Sequence, residues 1–289
     1  MKVNLLCYEP EKGWILWDYA EKLAQHLTGL VDQVGISPRQ LPGHDVTFHI
    51  NYAGMGKVEV PGVHTTMVTH IDEPPKLNLV SAQARGGIHG ICMSEHTARM
   101  LRQLTGVNRF SSLLVPTLLP RRQHRTKVLV SSRLYPDGRK NELWVRDFCR
   151  QFAPANILLR IMGAGWDAIV RELQEAGYQI EYQGGFDKSL NCRWLEDTDY
   201  VLYTGFDEGA LSVLDAMAYG VTPIATAQGF HLELPGKMLL FSTREQLMTI
   251  AREIETAQCE KDRVLDYLHD WDGYAGKLVE VWRELLAAS

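Results

Sequence analysis

Cysteine is sparse: Cys7, Cys92, Cys149, Cys192 and Cys259 are scattered over 289 residues, odd in number and never spaced C-x-x-C. That argues against a disulfide framework or a zinc site and fits reduced thiols in a cytoplasm. Long apolar runs are missing too. No segment approaches the roughly 20 apolar residues of a membrane helix, and the apolar start, Val3 to Tyr8, is broken at once by Glu9, Pro10 and Glu11, too short for the core of a signal peptide. The location expected is cytoplasmic, with a peripheral place at a membrane left open. A basic excess is absent: net charge is −5 and the pI is about 6.1, so there is no strong nucleic-acid signal, although local basic patches remain open. Neither an internal repeat of fixed period nor a low-complexity tract is present. What is there, 45% hydrophobic and 22% charged residues, suits a soluble globular protein of one large or two modest domains.

The chain reads as strands alternating with helices. VNLLCY is a strand-like run, and WDYAEKLAQHL after it repeats Trp17, Ala20, Leu23, Ala24 and Leu27 at helical spacing. DVTFHINY, VHTTMVTH, a polar connection, GIHGICMS, the helix EHTARMLRQLTG and the strand SSLLVP follow. VPTLLPRRQHRT, punctuated by Pro116 and Pro120, has no periodicity and reads as an interdomain linker. The alternation then restarts: KVLVSSR, NELWVRDFCRQF, ILLRIMG, WDAIVRELQEAG, IEYQG, LNCRWLED, YVLYTG, a helix opening near Ala210, TPIATA and MLLF, with helices from Arg244 onward. This pattern predicts α/β architecture: two Rossmann-like domains with parallel sheets, facing each other across a cleft. The expected divisions are residues 1–120, 121–270, and 271–289 as a C-terminal helix that crosses back to the first domain.

Ligands of open α/β sheets bind at the carboxyl ends of strands, so the loops there carry the functional expectation. SSRLYPDGRKN holds Arg133, Arg139 and Lys140; MGAGW holds Gly163; YQGGF holds Gln183 and Gly184. Any one of these is explained by turn chemistry and a solvated charge cluster. Together they place glycines, which permit close backbone approach, beside cations that compensate an anion. TGFDEGALSVLDAMAYG adds a helix start, a seat for phosphate. Asp207 and Glu208 fit ordinary helix capping, whereas Asp215, inside the helix between apolar neighbours, is expected to be partly buried and to need a partner.

At these residues the chain resembles the retaining GT-B glycosyltransferases of the large nucleotide-sugar-dependent family (group 1, family 4 like). That family shares the pattern E-G-x-G-x-x-x-x-E-A-M-A-x-G-x-P-V-x-x-T. VLDAMAYGVTPIAT aligns to it without gaps and puts Asp207 and Asp215 on its two acidic positions, eight apart. VSSRLYPDGRKN resembles the family's G-R-L…K-G segment, MGAGW its glycine loop, and WDGYAGKLVEVWREL its closing helix; CMSEHTARML and VTHIDEPP extend the likeness into the first half. The resemblance implies a hexosyltransferase-like enzyme whose donor is a nucleoside diphosphate sugar, with retention and with neither metal nor cofactor. It implies that Arg133 and Lys140 neutralise the diphosphate and that the amides of Gly209, Ala210 and Leu211 bind the distal phosphate. Asp207 would hold the transferred sugar, and Asp215 the ribose. His70 would line the sugar and phosphate side, Gly13 would leave room for the donor, Gly163 belongs to the glycine loop, and Gln183 and Gly184 would lie beside the base.

The sequence departs from that pattern in specific places. Both acids are Asp where the family has Glu, so Glu208 competes for the sugar. Arg133 and Lys140 are a residue or so further apart than usual, so Arg139 competes for the cationic role, and Asn141 stands where the family has glycine. His70 also reads as a strand-end histidine with a backbone partner. About 120 residues are few for the first domain, so the acceptor (glycan, lipid-linked or small molecule) is not named by the sequence. Asp197-Thr198-Asp199 has the letters of a metal-holding D-x-D but precedes a strand, and reads as a helix-terminus turn. Two other classes stay open: a catalytically inactive nucleotide-sugar-binding protein, and a nicotinamide-dependent oxidoreductase. The latter is disfavoured because YEPEKGW, not G-x-G-x-x-G, follows the first strand.

Overall fold

The computed structural model describes residues 1–8, 14–52, 58–69, 71–121 and 124–289. The expected site residues Gly13 and His70 lie outside the described residues. The chain divides into two compact units, Met1–Arg121 with Leu265–Ser289, and Arg122–Val264.

Unit one contains β1 (Lys2–Leu6), α1 (Ile15–Leu27), β2 (Gln33–Ser37), β3 (Val46–His49), β4 (Val63–Val68), α2 (Pro74–Arg85), β5 (His89–Cys92), α3 (Glu95–Thr105) and β6 (Phe110–Ser112). Unit two contains β7 (Thr126–Ser131), α4 (Glu142–Cys149), β8 (Ile157–Met162), α5 (Asp167–Glu175), β9 (Gln179–Gln183), α6 (Lys188–Leu195), β10 (Tyr200–Tyr203), α7 (Leu211–Ala218), β11 (Thr222–Thr226) and β12 (Leu239–Phe241). The helix α8 (Arg244–Leu268) begins in unit two and ends in unit one, to which α9 (Trp271–Ala287) belongs. Among the described residues each unit is built on a six-stranded parallel sheet, ordered β2-β1-β3-β4-β5-β6 in unit one and β12-β11-β10-β7-β8-β9 in unit two. The α/β class expected from the alternation is the class observed.

The strands form where apolar and β-branched runs are buried on both faces: every residue of β3, β4, β5 and β8 is buried, as helix-covered parallel sheets require. Helices start and stop on local signals. Ser94 Oγ accepts the Thr97 amide at 3.1 Å to cap α3, and Gly106, at φ 68°, ends it by returning its amide to the Arg102 carbonyl. The core of unit one joins Leu5, Tyr19, Leu23 and Phe48 to Trp271, Tyr274 and Trp282 of α9. Trp282 Nε1 reaches Thr65 Oγ1 on β4 at 3.1 Å, so the last helix is bound to the first sheet by a buried polar contact as well as by area. Unit two centres on Val128, Phe148, Ile161, Trp166, Leu202 and Ile224.

Two elements differ from the sequence expectation. The polar connection before GIHGICMS contains α2, which starts on Pro74-Pro75, where a missing N–H costs nothing. Its core face includes Gln83, buried with Nε2 donating to the Tyr52 carbonyl at 2.8 Å, so no apolar stripe announces it. The edge strand β2 buries only Ser37 and leaves no periodic signal. The stretch read as a linker is anchored within unit one: the Thr117 amide donates to Leu268 and the Thr117 carbonyl accepts from Trp271 Nε1, at 2.7 and 3.1 Å.

Candidate functional site

Strand order decides which loops meet. In unit two the sequence runs outward from β7 in one direction through β8 and β9 and in the other through β10, β11 and β12, so the order reverses between β7 and β10. Connections leaving those two strands go to opposite sides, and the gap at their carboxyl ends is the general ligand position of open α/β sheets. The loops there are SSRLYPDGRKN and TGFDEGA. Between them lies a pocket of about 590 Å³, within the range of small-molecule sites. Its lining includes Arg133, Lys140, Gly163, Gly209, Ala210, Leu211 and Asp215 from the expected set.

Lys140 and Asp207, 67 residues apart, are brought into contact: Nζ donates to Oδ2 at 2.6 Å. Lys140 also donates to the Tyr203 hydroxyl, and that hydroxyl donates to Asp207 Oδ1. The three groups form a closed triangle, and the ammonium also lies 4.6 Å from the centre of the Tyr203 ring. Burial pushes the Asp207 carboxyl up, but the Lys140 and Tyr203 hydrogen bonds and the ammonium charge outweigh it and hold the pKa below its ordinary value. Burial first, and then the neighbouring carboxylate, push the Tyr203 phenol well above its ordinary range. The Asp207 carboxyl is therefore ionised and the phenol neutral at pH 7.

Asn141 keeps Lys140 in place. It occupies the left-handed region at φ 46°, ψ 51°, and it is the one non-glycine residue with positive φ among the described residues. Asparagine tolerates that region better than any other side chain of its size, which accounts for its presence where the family pattern has glycine. Asn141 Nδ2 donates to the Thr204 carbonyl at 2.9 Å and Thr204 Oγ1 returns a bond to the Lys140 carbonyl, tying the β7 loop to the β10 loop.

The two arginines behave differently. Arg139 stacks its guanidinium on the Tyr135 ring at 4.0 Å and pairs with Asp137 at 3.3 Å, outside the pocket lining. Arg133 lies 5.7 Å from the same ring and does line the pocket. Gly163, at φ 136°, lets the β8 loop pass so close to the β7 loop that a Cβ there would sit 2.2 Å from the Ser132 carbonyl oxygen. Its amide donates to the Gln183 carbonyl at 2.9 Å, which is how Gln183 touches the site's frame; Gln183 and Gly184 do not line the pocket, whereas Gly185 and Phe186 do.

The helix α7 starts at Leu211, with Ala210 as its cap residue. Of the three expected amides, that of Ala210 donates to His231 Nε2 at 3.0 Å and that of Gly209 reaches Asp207 Oδ1 at 3.4 Å. The Leu211 amide has no partner among the described residues. His231 is buried, and its Nδ1 faces the Thr226 carbonyl at 2.9 Å; accepting at Nε2 and donating at Nδ1 fixes one neutral tautomer. Asp215 is exposed, a correction to the partly buried position expected for it: the fifth helical residue falls on the pocket side of a short helix whose buried face is Val213 and Ala216. It has no side-chain partner among the described residues. Glu208 is exposed too, its backbone carbonyl accepting the Phe230 amide at 3.1 Å.

Tyr203, Tyr135, Phe186, Ser212 and His231 were not singled out in the sequence. Tyr203 ends a strand whose alternation looks purely structural, and His231 lies 21 residues beyond the amide it holds, so neither carries a local signal. Among the described residues no group of three or more His, Cys, Asp or Glu side chains converges to hold a metal ion, and no helix is long and apolar enough to cross a membrane.

No protein-family model matches the chain, and no curated protein matches it. Solved structures of similar fold include HepE of Anabaena in complex with UDP-glucose, at 13% identity over 100% of this chain and 98% of that one, with a TM-score of 0.39. WaaG, a glycosyltransferase involved in lipopolysaccharide biosynthesis, is similar at 12% identity over 96% and 99%, with a TM-score of 0.38. Sucrose-phosphate synthase from Thermosynechococcus elongatus is similar at 13% identity over 100% of both chains, with a TM-score of 0.41.

Proposed function

We propose that the unit-two pocket binds a nucleoside diphosphate sugar and that the protein transfers the sugar to an acceptor hydroxyl. The observation that carries this reading is the meeting of Lys140 and Tyr203 with Arg133 and the start of α7 around one pocket, at the reversal of strand order; Asp207 is outside the lining itself and is bonded to both Lys140 and Tyr203. Cleaving the bond between the anomeric carbon and the diphosphate oxygen builds negative charge on the leaving group, and fixed donors aimed there lower the barrier. Arg133 and Lys140 supply two positive charges, and the open Leu211 amide with the helix dipole supplies a third donor. Asp207 orients the ammonium through its Oδ2 and keeps lone-pair capacity for a sugar hydroxyl, while the solvent-facing Asp215 carboxylate suits the ribose diol.

In this proposal neither a divalent ion nor a further cofactor is needed. The acceptor attacks on the face the leaving group departs from, its proton passing to the leaving phosphate, so configuration is retained. His70 and Gly13 belong to the proposal as donor-side residues, and the setting is a cytoplasmic one.

The test is a thermal-shift screen of the full chain with UDP-, GDP-, ADP- and TDP-glucose, with and without a chelator. A ligand at 100 times its Kd stabilises by about 2.7 kcal/mol, so at least one should raise the melting temperature by several degrees, unchanged by the chelator. No shift with any of them sinks the reading; a shift that needs Mg²⁺ or Mn²⁺ sinks its metal-free part. Donor binding without transfer or hydrolysis points instead to a binding protein, the reading that the shortened acids Asp207 and Asp215 favour.

A further inference from the structure

Unit one has two cavities at the carboxyl edge of its sheet, whose linings share no residue with the unit-two pocket. One, of about 640 Å³, is walled by Ile15, Leu16, Met67, Val115 and Leu118, with Tyr19 at its side. The other, of about 360 Å³, is walled by Ser94, Glu95, Ser112, Tyr267, Asp270 and Lys277. Met93 and Pro116 line both. The two also share a wall in hydrogen-bonded form, because the Tyr19 hydroxyl meets that of Tyr274, which lines the polar cavity, at 2.6 Å.

Their chemistry is opposed. The first is formed where the entry to α1, the end of β4 and the segment after β6 leave apolar side chains unpacked at the surface. Ile15 is 65% exposed and Leu119, which also lines it, 75%. Apolar surface left concave in this way is a binding feature rather than an unfinished core. The second presents hydroxyls and charges of both signs. Glu95 is already engaged by Arg102 and by Ser112 Oγ, and Asp270 Oδ1 caps α9 by accepting the Gly273 amide at 2.8 Å. The Lys277 ammonium has no partner among the described residues. Glu95 is paired with Arg102, and the remaining charges of the lining, Asp270 and Lys277, are of opposite sign without pairing, so the charges at the cavity sum to zero and it suits an uncharged polyol rather than an ion.

We infer that unit one binds one amphipathic molecule, its hydroxylated, uncharged head in the polar cavity and its aliphatic tail in the apolar one. Only its identification as the acceptor, with the head supplying the nucleophilic oxygen, rests on the function proposed above.

The experiment is calorimetric titration of the full chain with hexyl, heptyl, octyl and nonyl β-D-glucoside, each below its micelle concentration. Each buried methylene is worth about 0.8 kcal/mol, so affinity should rise about fourfold per carbon until the tail outgrows the cavity, with one molecule bound. Octyl sulfate and octyltrimethylammonium, with the same tail and a charged head, should bind at least tenfold more weakly. Ile15→Asp and Leu119→Asp alter exposed side chains, and the first adds an acid where a helix start favours one. Both should fold and should weaken octyl glucoside binding at least tenfold. Multiple equivalents, no dependence on tail length, or wild-type binding by the Ile15→Asp/Leu119→Asp protein means detergent adsorption and overturns the inference. Sedimentation with phosphatidylcholine vesicles that is sensitive to the same substitutions, without stoichiometric glucoside binding, also overturns it and makes this edge a membrane contact. UDP-, GDP-, ADP- and TDP-glucose titrated into the same preparation keep the failures apart: glucoside binding without binding of any of the four donors sinks the function and leaves this inference, and donor binding without glucoside binding does the reverse.

Discussion

The two units solve the same problem, a covered parallel sheet with polar groups inside it, in opposite ways. Unit one keeps its buried polar groups neutral. His49 and His64 face each other across β3 and β4 at 3.1 Å, and His64 passes its other nitrogen to the Val60 carbonyl at 3.0 Å. Burial, aided by His64, lowers the His49 pKa to about 4; burial, aided by Arg109, lowers that of His89 to about 4. Unit two, beside neutral buried groups such as His231, also holds charged groups inside and pairs them. Arg160, buried on β8, contacts Glu181 at 2.9 Å and Asp197 at 3.3 Å, and Asp147 lies between Arg146 and Arg244 at 2.9 and 2.8 Å. Charge survives burial only where a partner offsets desolvation. The pairing seen at β8 is repeated at the loops as Lys140 and Asp207, where on the proposed function a charged ligand would compete for it.

The largest expected effect tests that charged edge. Lys140→Ala removes the cation from the triangle and leaves Asp207 half-buried and without its counter-charge. On the proposed function it should cost on the order of 2–4 kcal/mol in kcat/KM, roughly 30- to 1000-fold, in a protein that still folds by circular dichroism. Unchanged turnover would separate the loop pair from function and leave Arg133 as the cation of the pocket.

Gly163→Ala attacks the backbone of the same edge. A Cβ at φ 136° and 2.2 Å from the Ser132 oxygen has no rotamer to escape into, so a loss of about 2–4 kcal/mol is expected. Hydrogen exchange should accelerate in β7 and β8 before it does in β1 and β4. Equal acceleration in both sheets would mean that the two units unfold as one.

Acid should reverse that order. A histidine whose pKa falls from about 6.5 unfolded to about 4 folded binds its proton more readily unfolded, so stability is full above pH 6.5 and is lost as pH falls towards 4. At pH 5 the loss is about 2 kcal/mol for each such group. In unit two, Asp147, Asp197 and Asp207 have lowered pKa values, and their contribution is lost only below the ordinary carboxylate range, near pH 4. Peptide-resolved exchange at pH 7 and pH 5 should therefore show β3, β4 and β5 losing protection first. His49→Gln should flatten that dependence, and a variant that does not would remove the buried imidazoles from the explanation.

The smallest effects separate the carboxylates. Asp215→Asn, on the proposed function, should weaken donor binding about tenfold with little change in kcat, since a ribose contact is equal in ground and transition states. Glu208→Gln, exposed and without a built role, should stay within twofold of wild type. If Glu208→Gln abolishes transfer while Asp207→Asn is silent, the acidic register is off by one residue.

Much of this was readable in advance. The runs at β1, β3, β4, β7, β8 and β10 announce themselves because strands buried on both faces are rich in apolar and β-branched residues, even where, as in β3 and β4, buried His and Thr interrupt the apolar run. α2 and β2 do not, because the first buries a glutamine and the second is a half-exposed edge. At the site, Arg133, Lys140 and Asp207 stand in loops that follow strands and Asp215 in the helix that follows one of those loops, so all four are visible as candidates. Tyr203 and His231 are not, since each acts through a partner that only folding brings near.

The sequence alone determined the alternation of strands and helices, the class of sheet, and which loops hold charge or glycine, because all of these follow from local periodicity and from what each side chain tolerates. Tertiary structure alone decided that β10 lies against β7 rather than β9. That one adjacency sets the Asp207 loop beside the Lys140 loop, leaves Asp215 facing solvent, and turns His231 onto the Ala210 amide. A buried strand's pattern says that it has neighbours on both sides; which neighbours they are is fixed by the packing of the whole sheet and its helices.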